Sequence, residues 1–158
     1  MRMRIVFTRS SGIIAGLVRW FTWSEYNHVA IGRAEGTTLI EAIGWRGVVL
    51  SNMYYLRSRS TVIKVMEVEV LRDPTVHLRS QLGKKYDYSG ILGIWFRRNW
   101  QEENRWFCSE LVAWACAKAG TPLVVEEKHR ITPNDILTSP LLDEVPSDKR
   151  IERQNSYH

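Results

Sequence analysis

The chain has 158 residues, which is enough for one domain with a substantial hydrophobic core. Hydrophobic residues make up 44% of it and charged residues 25%, and these ordinary values exclude an intrinsically disordered chain. The formal net charge of +5 is not concentrated in a long basic run, so we expect no nucleic-acid partner.

The sequence offers no membrane-spanning or secretory segment. No stretch approaches the roughly 18 apolar residues that a transmembrane helix needs. The apolar run from Gly12 to Val18 is short and is closed by Arg19, unlike the apolar region of a signal peptide. We expect a cytoplasmic protein, with release by cell lysis as a further route, made of one domain at residues 1–147 and a polar tail at residues 148–158.

The first half of the chain is rich in β-strand patterns. Alternating or β-branched apolar residues predict strands, and the turn residues Arg33 to Gly36 predict a hairpin between the second and the third. An amphipathic helix is predicted after the first strand, at residues 12–22, with a cap at Ser10 and Ser11. The predicted strands are residues 5–8, 28–32, 37–42, 48–51 and 61–70.

The second half is mostly helical. Asp73-Pro74 is typical of a helix start and Gly83 of a helix end, so a helix is predicted over residues 73–82. A helical or irregular segment follows at residues 87–96, and Thr132-Pro133 predicts the start of one more short helix. Because strands come first and helices mostly after, the pattern predicts an α+β fold with an antiparallel sheet packed against helices.

Residues 106–120 predict a helix that begins close to Cys108 and ends at Gly120. Unpaired backbone N–H groups at a helix N-terminus favour the thiolate form of a cysteine, so Cys108 is the candidate nucleophile. Cys116 lies two turns further along, without that help, and is interpreted as a packing residue. On one helix the Cα atoms of the two cysteines lie roughly 12 Å apart, beyond the limit of about 7 Å for a disulfide. The alternative is that Cys108 is also a small buried hydrophobic residue.

A cysteine nucleophile needs a base and a group that orients the base. Three of the four histidines, His77, His129 and His158, lie in polar, charged or terminal surroundings. His28 instead opens an apolar strand, and Glu41 interrupts the apolar run of the next strand, where a hairpin would bring the two together if the register allows. The alternatives are a hydrogen-bonded histidine at the sheet rim and an outward-facing glutamate.

Five short motifs follow one another along the chain: Tyr26-Asn27-His28-Val29, Ile40-Glu41-Ala42, Lys85-Tyr86-Asp87-Tyr88, Phe107-Cys108-Ser109-Glu110 and Ile131-Thr132-Pro133-Asn134-Asp135. Their order resembles the circularly permuted papain-like hydrolases of the NlpC superfamily, in the YaeF/YiiX-like group. The resemblance covers about residues 5 to 142 and implies a permuted papain-like fold with the cysteine at a helix N-terminus. It also implies Cys108 as nucleophile, His28 as general base, Glu41 as the orienting group and Tyr86 as a residue of the substrate cleft.

The implied activity is that of a cysteine hydrolase, an amidase, peptidase or acyl esterase, which works through a thioester. Its substrate would be a small peptide, amide or acyl compound, such as a cell-wall peptide or a related amide. Two alternatives are a lipid acyltransferase or thioesterase and a non-catalytic binding module of the same fold. No cofactor and no metal are expected, because Cys108 and Cys116 are eight residues apart on one helix, unlike the close cysteine pairs of structural zinc sites.

Overall fold

A six-stranded antiparallel sheet forms the centre of the structure, a computed structural model that describes residues 1–10, 25–86, 105–124 and 131–145. The strand order is β4-β3-β2-β1-β5-β8, and a two-residue parallel pair, β6 with β7, lies outside this sheet. The strands are β1 Arg2–Arg9, β2 His28–Arg33, β3 Thr38–Ile43, β4 Gly47–Asn52, β5 Val62–Glu69, β6 Lys85–Tyr86, β7 Arg105–Trp106 and β8 Leu142–Glu144.

Four helices are described, and the longest of them packs against β2 and β3. They are α1 Met53–Ser58, α2 Thr75–Arg79, α3 Cys108–Lys118 and α4 Pro133–Leu137. The α+β class and the antiparallel sheet that the order of elements predicts are confirmed.

Side chains alternate between the two faces of the sheet, because successive residues of a strand point to opposite sides. The first face forms the larger core, in which Phe7, Val29 and Ile31 meet Leu111 and Val112 of α3. On the second face a smaller cluster joins the sheet to α1, and it consists of Val6, Ala30, Leu39, Met53, Leu56, Val65 and Val145. The sheet therefore separates α3 on one side from α1 on the other.

The β2–β3 hairpin sets the register on which the candidate site depends. Ile31 pairs with Ile40 and Gly32 with Leu39, so Glu41 falls opposite Ala30. His28 is two residues before Ala30, which places His28 and Glu41 on the second face by alternation. The predicted hairpin is thus confirmed, and its register brings the two polar residues to one end of the sheet.

The predicted helix at residues 73–82 is shorter in the structure, where α2 spans only Thr75–Arg79. After Leu78 the backbone continues in three-residue turns, with Gln81 donating to Leu78 and Lys84 to Gln81. These turns carry the chain to the start of β4, where it exchanges two backbone hydrogen bonds with Val48. Pairing with β4 therefore ends the helix before Gly83.

Four described elements were not expected from the sequence, namely helix α1, strand β8 and the two-residue strands β6 and β7. Helix α1 follows β4 without a loop, and its N-cap is Asn52, whose side-chain oxygen accepts a hydrogen bond from the Tyr55 N–H at 2.8 Å. Strand β8 has only three residues at the sheet edge. The predicted helix at 12–22, the segment at 87–96 and the tail at 148–158 lie outside the described residues.

No helix within the described ranges is both long and apolar enough to cross a membrane. Both cysteines are buried. They do not form a disulfide, in agreement with their predicted separation on one helix. The predicted capping pattern at Thr132 is confirmed, because its hydroxyl and the Asp135 carboxylate bond each other's backbone N–H groups.

Gly47→Ala should destabilise the fold much more than Gly83→Ala. Both glycines have a positive φ, of 72° and 83°, so either substitution carries the conformational cost of about 1–2 kcal/mol. A Cβ at Gly47 would lie 2.0 Å from the Lys84 carbonyl oxygen, whereas a Cβ at Gly83 meets nothing within 4 Å. We expect a loss of roughly 3 kcal/mol or more for Gly47→Ala, measured by denaturant unfolding. Equal losses in the two variants would contradict the close approach.

Candidate active site

The structure brings together three side chains that the sequence singled out. The His28 ring nitrogen Nε2 is hydrogen-bonded to Glu41 Oε2. The Cys108 thiol lies beside the ring and raises the pKa of His28. Glu41 and Cys108 are fully buried, and the His28 side chain is 12% exposed. His28 thus lies between Cys108 and Glu41, and it is hydrogen-bonded to Glu41.

Cys108 is the first residue of α3, and several contacts fix that end of the helix. The Ser109 hydroxyl donates to the Ile131 carbonyl at 2.5 Å, which ties the first turn to the segment before α4. The Phe107 N–H donates to the Glu110 carboxylate at 3.3 Å and so satisfies one of the free N–H groups at the helix start. These contacts leave the Cys108 sulfur at a defined position beside β2.

Asn27 fixes the chain immediately before His28. Its backbone N–H donates to the Thr8 carbonyl at 3.1 Å, and its side-chain oxygen accepts from the Ser10 N–H at 3.1 Å. The Asn27 amide also donates to the Ser10 carbonyl at 3.3 Å. The start of β2 is thereby bound to the end of β1, and the His28 ring inherits that fixed position. Asn27 is a positioning residue that the sequence reasoning did not single out.

Arg59 is a further charged residue of the site that the sequence reasoning missed. Its guanidinium pairs with Glu41 Oε2, the same oxygen that His28 contacts. A buried carboxylate requires a cationic or hydrogen-bonding partner, so a partner for Glu41 could be anticipated. Nothing local marks Arg59 among the 22 lysines and arginines, because it is 18 residues from Glu41 in the chain.

The site favours the charged forms of both His28 and Glu41. Burial lowers the pKa of His28, but hydrogen bonds to Cys108 and Glu41 and the charges of those groups raise it to about 9. Burial raises the pKa of Glu41, yet the hydrogen bond and charge of His28, the Ser51 hydroxyl and the charge of Arg59 lower it to about 2. Opposite charges in contact thus outweigh desolvation at both residues.

The second oxygen of Glu41 faces Ser51 on the neighbouring strand. Glu41 pairs with Val49 on β4, so Ser51 lies diagonally from Glu41 on the same face. The Ser51 hydroxyl stabilises the ionised carboxylate, although neither Glu41 Oε1 nor Ser51 Oγ has a hydrogen bond of good geometry. The carboxylate is therefore held mainly through Oε2, by His28 and Arg59.

Tyr86, predicted to line the substrate cleft, lies on β6 next to the segment that leads into Cys108. Its half-buried ring packs against Phe107, with 5.9 Å between the ring centroids. Cys116 sits in the core on α3, where burial raises the pKa of its thiol to about 12. Within the described ranges, Cys108 is the thiol that lies beside a histidine.

The charged pair should give a defined pH dependence of stability. The pKa of folded His28 is above its ordinary value of 6.5, so its contribution is complete below pH 6.5 and is lost as pH rises through about 9. The pKa of Glu41 is depressed from 4.5, so its contribution is present above pH 4.5 and is lost as pH falls through about 2. Chemical unfolding of wild type and His28→Gln from pH 4 to 9 should show the decline above pH 6.5 only in wild type. A decline of the same slope in the variant would contradict the assignment.

No protein-family model matches the chain, and no curated protein matches its sequence. Its structure is similar to the crystal structure of metalloprotein yiiX, DUF1105, from Escherichia coli O157:H7. The TM-score is 0.70, and the match covers 90% of this chain and 94% of that chain. Sequence identity is 17%, a level at which the similarity speaks for the fold alone. The chain therefore has a yiiX-like fold of the α+β class.

Proposed function

We propose that the protein is a cysteine hydrolase that cleaves an amide or ester bond of a small peptide or acyl substrate through a thioester on Cys108. The observation that carries this proposal is the buried His28–Glu41 hydrogen bond beside the Cys108 thiol at the start of α3. A nucleophile, a base and a group that orients the base are the minimum set for acyl transfer by a thiol.

His28 is the proton carrier of the proposed reaction. It takes the proton of the Cys108 thiol and later gives it to the leaving amine or alcohol, while the sulfur attacks the acyl carbon and forms the thioester. Glu41 engages Nε2, so the ring nitrogen left for exchange with the thiol is Nδ1. The carboxylate thereby fixes the ring orientation and stabilises the imidazolium.

The N-terminus of α3 supplies the electrophilic part of the proposed site. Cys108 is the first helical residue, so its backbone N–H lies among the unpaired donors that begin a helix. Such donors stabilise both a thiolate and the oxyanion that develops when the thiolate attacks a carbonyl. We assign the Cys108 N–H to the oxyanion hole.

The yiiX protein is named a metalloprotein, so we ask whether the side chains of the present site could hold a metal ion. The described residues contain no group of three or more His, Cys, Asp and Glu side chains placed to hold a metal ion. At the candidate site, Glu41 Oε2 already contacts His28 and the cationic Arg59, which repels a further cation. The donor set of the described site does not fit a metal, and the proposed reaction uses none.

A non-catalytic binding module is the second candidate, and the burial of the thiol favours it. Cys108 has 0% exposure, so a substrate reaches the sulfur only if the surrounding side chains move. A buried cysteine with a satisfied histidine beside it is also compatible with a purely structural role. The two candidates differ in whether Cys108 can be acylated.

Acylation by p-nitrophenyl esters should depend on Cys108 and not on Cys116. Cys108→Ala and His28→Ala should each lower single-turnover acylation roughly 10⁴-fold, and the double variant should be little worse, since the residues act as one unit. Glu41→Gln loses the charge that stabilises imidazolium and should cost roughly 10²-fold.

Cys116→Ala is the matched control, because it removes a buried thiol from the same helix. It should acylate like wild type, with thermal unfolding measured on every variant. If wild type shows no covalent acyl adduct by mass spectrometry, or if Cys108→Ala acylates normally, the hydrolase proposal is wrong and the binding module stands.

The two thiols should also differ in alkylation by iodoacetamide. Cys108 contacts a base and should react below pH 8, whereas Cys116, with its pKa raised to about 12, should react only after unfolding. Peptide mapping of the labelled protein measures both sites at once. Faster labelling of Cys116 than of Cys108 in the folded protein would mean that Cys108 is not the nucleophile.

A further inference from the structure

We propose that Arg59 is a positioning residue that keeps His28 able to act as a base in the second half of the reaction, the hydrolysis of the thioester. The inference rests on the proposed function and adds a fourth group to the site. Arg59 would act through Glu41: its guanidinium holds the carboxylate ionised and shares the oxygen that His28 uses.

The geometry places one carboxylate oxygen between two cationic groups. His28 Nε2 comes from β2 and an Arg59 guanidinium nitrogen from the residue after α1, and both contact Glu41 Oε2. The Glu41 side chain has 0% exposure and the Arg59 side chain 28%. Because water does not reach the Glu41 carboxylate, its negative charge must be balanced by the His28 and Arg59 side chains.

Helix α1 holds Arg59 in place. Arg59 is its C-cap, and Leu56, one turn earlier, is fully buried against the second face of the sheet. The Arg59 guanidinium also lies 5.2 Å from the centre of the Tyr55 ring, at a cation–π distance. The guanidinium is therefore directed at Glu41 by a packed helix and not only by the ion pair.

The need for Arg59 changes during the reaction. When His28 has taken the proton of the Cys108 thiol, the resulting imidazolium balances the charge of Glu41. Once the thioester has formed, the sulfur is uncharged and His28 has given its proton to the leaving group. Glu41 would then face a neutral ring, and only Arg59 would balance its buried charge.

Hydrolysis of the thioester requires His28 in that neutral form. The oxygen of water bonds to the acyl carbon, the carbon–sulfur bond breaks, the water proton moves to His28, and the sulfur leaves as thiolate. Without Arg59, the unbalanced carboxylate would hold a proton on His28 more strongly. Less of the neutral base would then be present at neutral pH, and deacylation would slow.

Among the described residues, four charged or polar groups lie around His28, either directly or through Glu41, and each comes from a different part of the fold. They are Cys108 on α3, Glu41 on β3, Ser51 on β4 and Arg59 after α1. Ser51 is uncharged, so Arg59 is the one described cation, besides His28 itself, that acts on Glu41. A merely structural Arg59 would alter stability without changing the pH at which His28 titrates in the folded protein.

The first test measures the titration of His28 by NMR in the Cys108→Ala protein. Residue 108 carries no charge in this variant, as in the thioester, so the variant reproduces the charges that surround His28 before deacylation. Adding Arg59→Gln should raise the His28 pKa by about one pH unit, and Arg59→Lys, which keeps the charge, should leave it near the parent value. Arg33→Gln is the matched control, because it removes another arginine–carboxylate pair, with Asp73, at the opposite end of β2.

An unchanged or lowered His28 pKa in Arg59→Gln would overturn the inference, as would an equal rise in Arg33→Gln. If Arg59→Gln does not fold, Arg59→Met, which keeps an unbranched apolar stem beside Tyr55, is measured with the same criteria. This titration needs no turnover, so it judges Arg59 even if Cys108 proves unable to form a thioester.

The second test follows, between pH 6 and pH 9, the deacylation of the thioester that Cys108 forms with the acyl group of a p-nitrophenyl ester. Arg59→Gln should release acid about tenfold more slowly than wild type at pH 7, with a similar burst, and should recover as pH rises. A loss of equal size at every pH would mean that Arg59 only supports the fold and would overturn the inference. Absence of any burst in wild type would instead refute the proposed hydrolase.

Discussion

The carboxylate of Glu41 is fully buried, and the organisation of the site depends on how its charge is neutralised. A charged carboxylate away from water costs several kcal/mol unless hydrogen bonds and opposite charges replace the lost solvent. His28 and Arg59 supply them from opposite directions in the chain, and the pKa of Glu41 falls despite its burial. Cys108 and Glu41 together raise the pKa of His28 despite its burial, so the buried carboxylate helps to keep its neighbour protonated.

The sheet makes this arrangement possible because it divides the site between its two faces. Glu41 and Arg59 belong to the face covered by α1, whereas α3 and Cys108 pack against the other. His28 begins β2, at the end of the sheet, where its ring reaches both Glu41 and Cys108. A histidine in mid-strand could contact groups on only one face.

Side-chain hydrogen bonds anchor the backbone at the two chain positions next to His28 and Cys108. Asn27 ties the start of β2 to the end of β1, and Ser109 ties the first turn of α3 to Ile131. Hydrogen-bonded side chains flanking a site hold its groups within the small tolerances that proton transfer needs. Arg59 gains a similar fixed position from the packing of α1.

The sequence by itself determined the local structure and the chemical types at the site. Period-two alternation identified the main strands, and the helix signals around Cys108 and Gly120 predicted α3. His28 and Glu41 stood out because His28 opens an apolar strand and Glu41 interrupts the next one. The strand and helix predictions succeeded because they depend on neighbouring residues, whose backbone preferences and burial pattern are written in short stretches of chain.

Only the tertiary structure decided which groups meet. The register of β2 and β3 set the contact between His28 and Glu41, and the end of α1 on the second face brought Arg59 to the same oxygen. The early end of α2 followed from backbone pairing with β4. Each of these depends on contacts between segments far apart in sequence, whose energies come from packing and pairing across the sheet, and no local pattern encodes them.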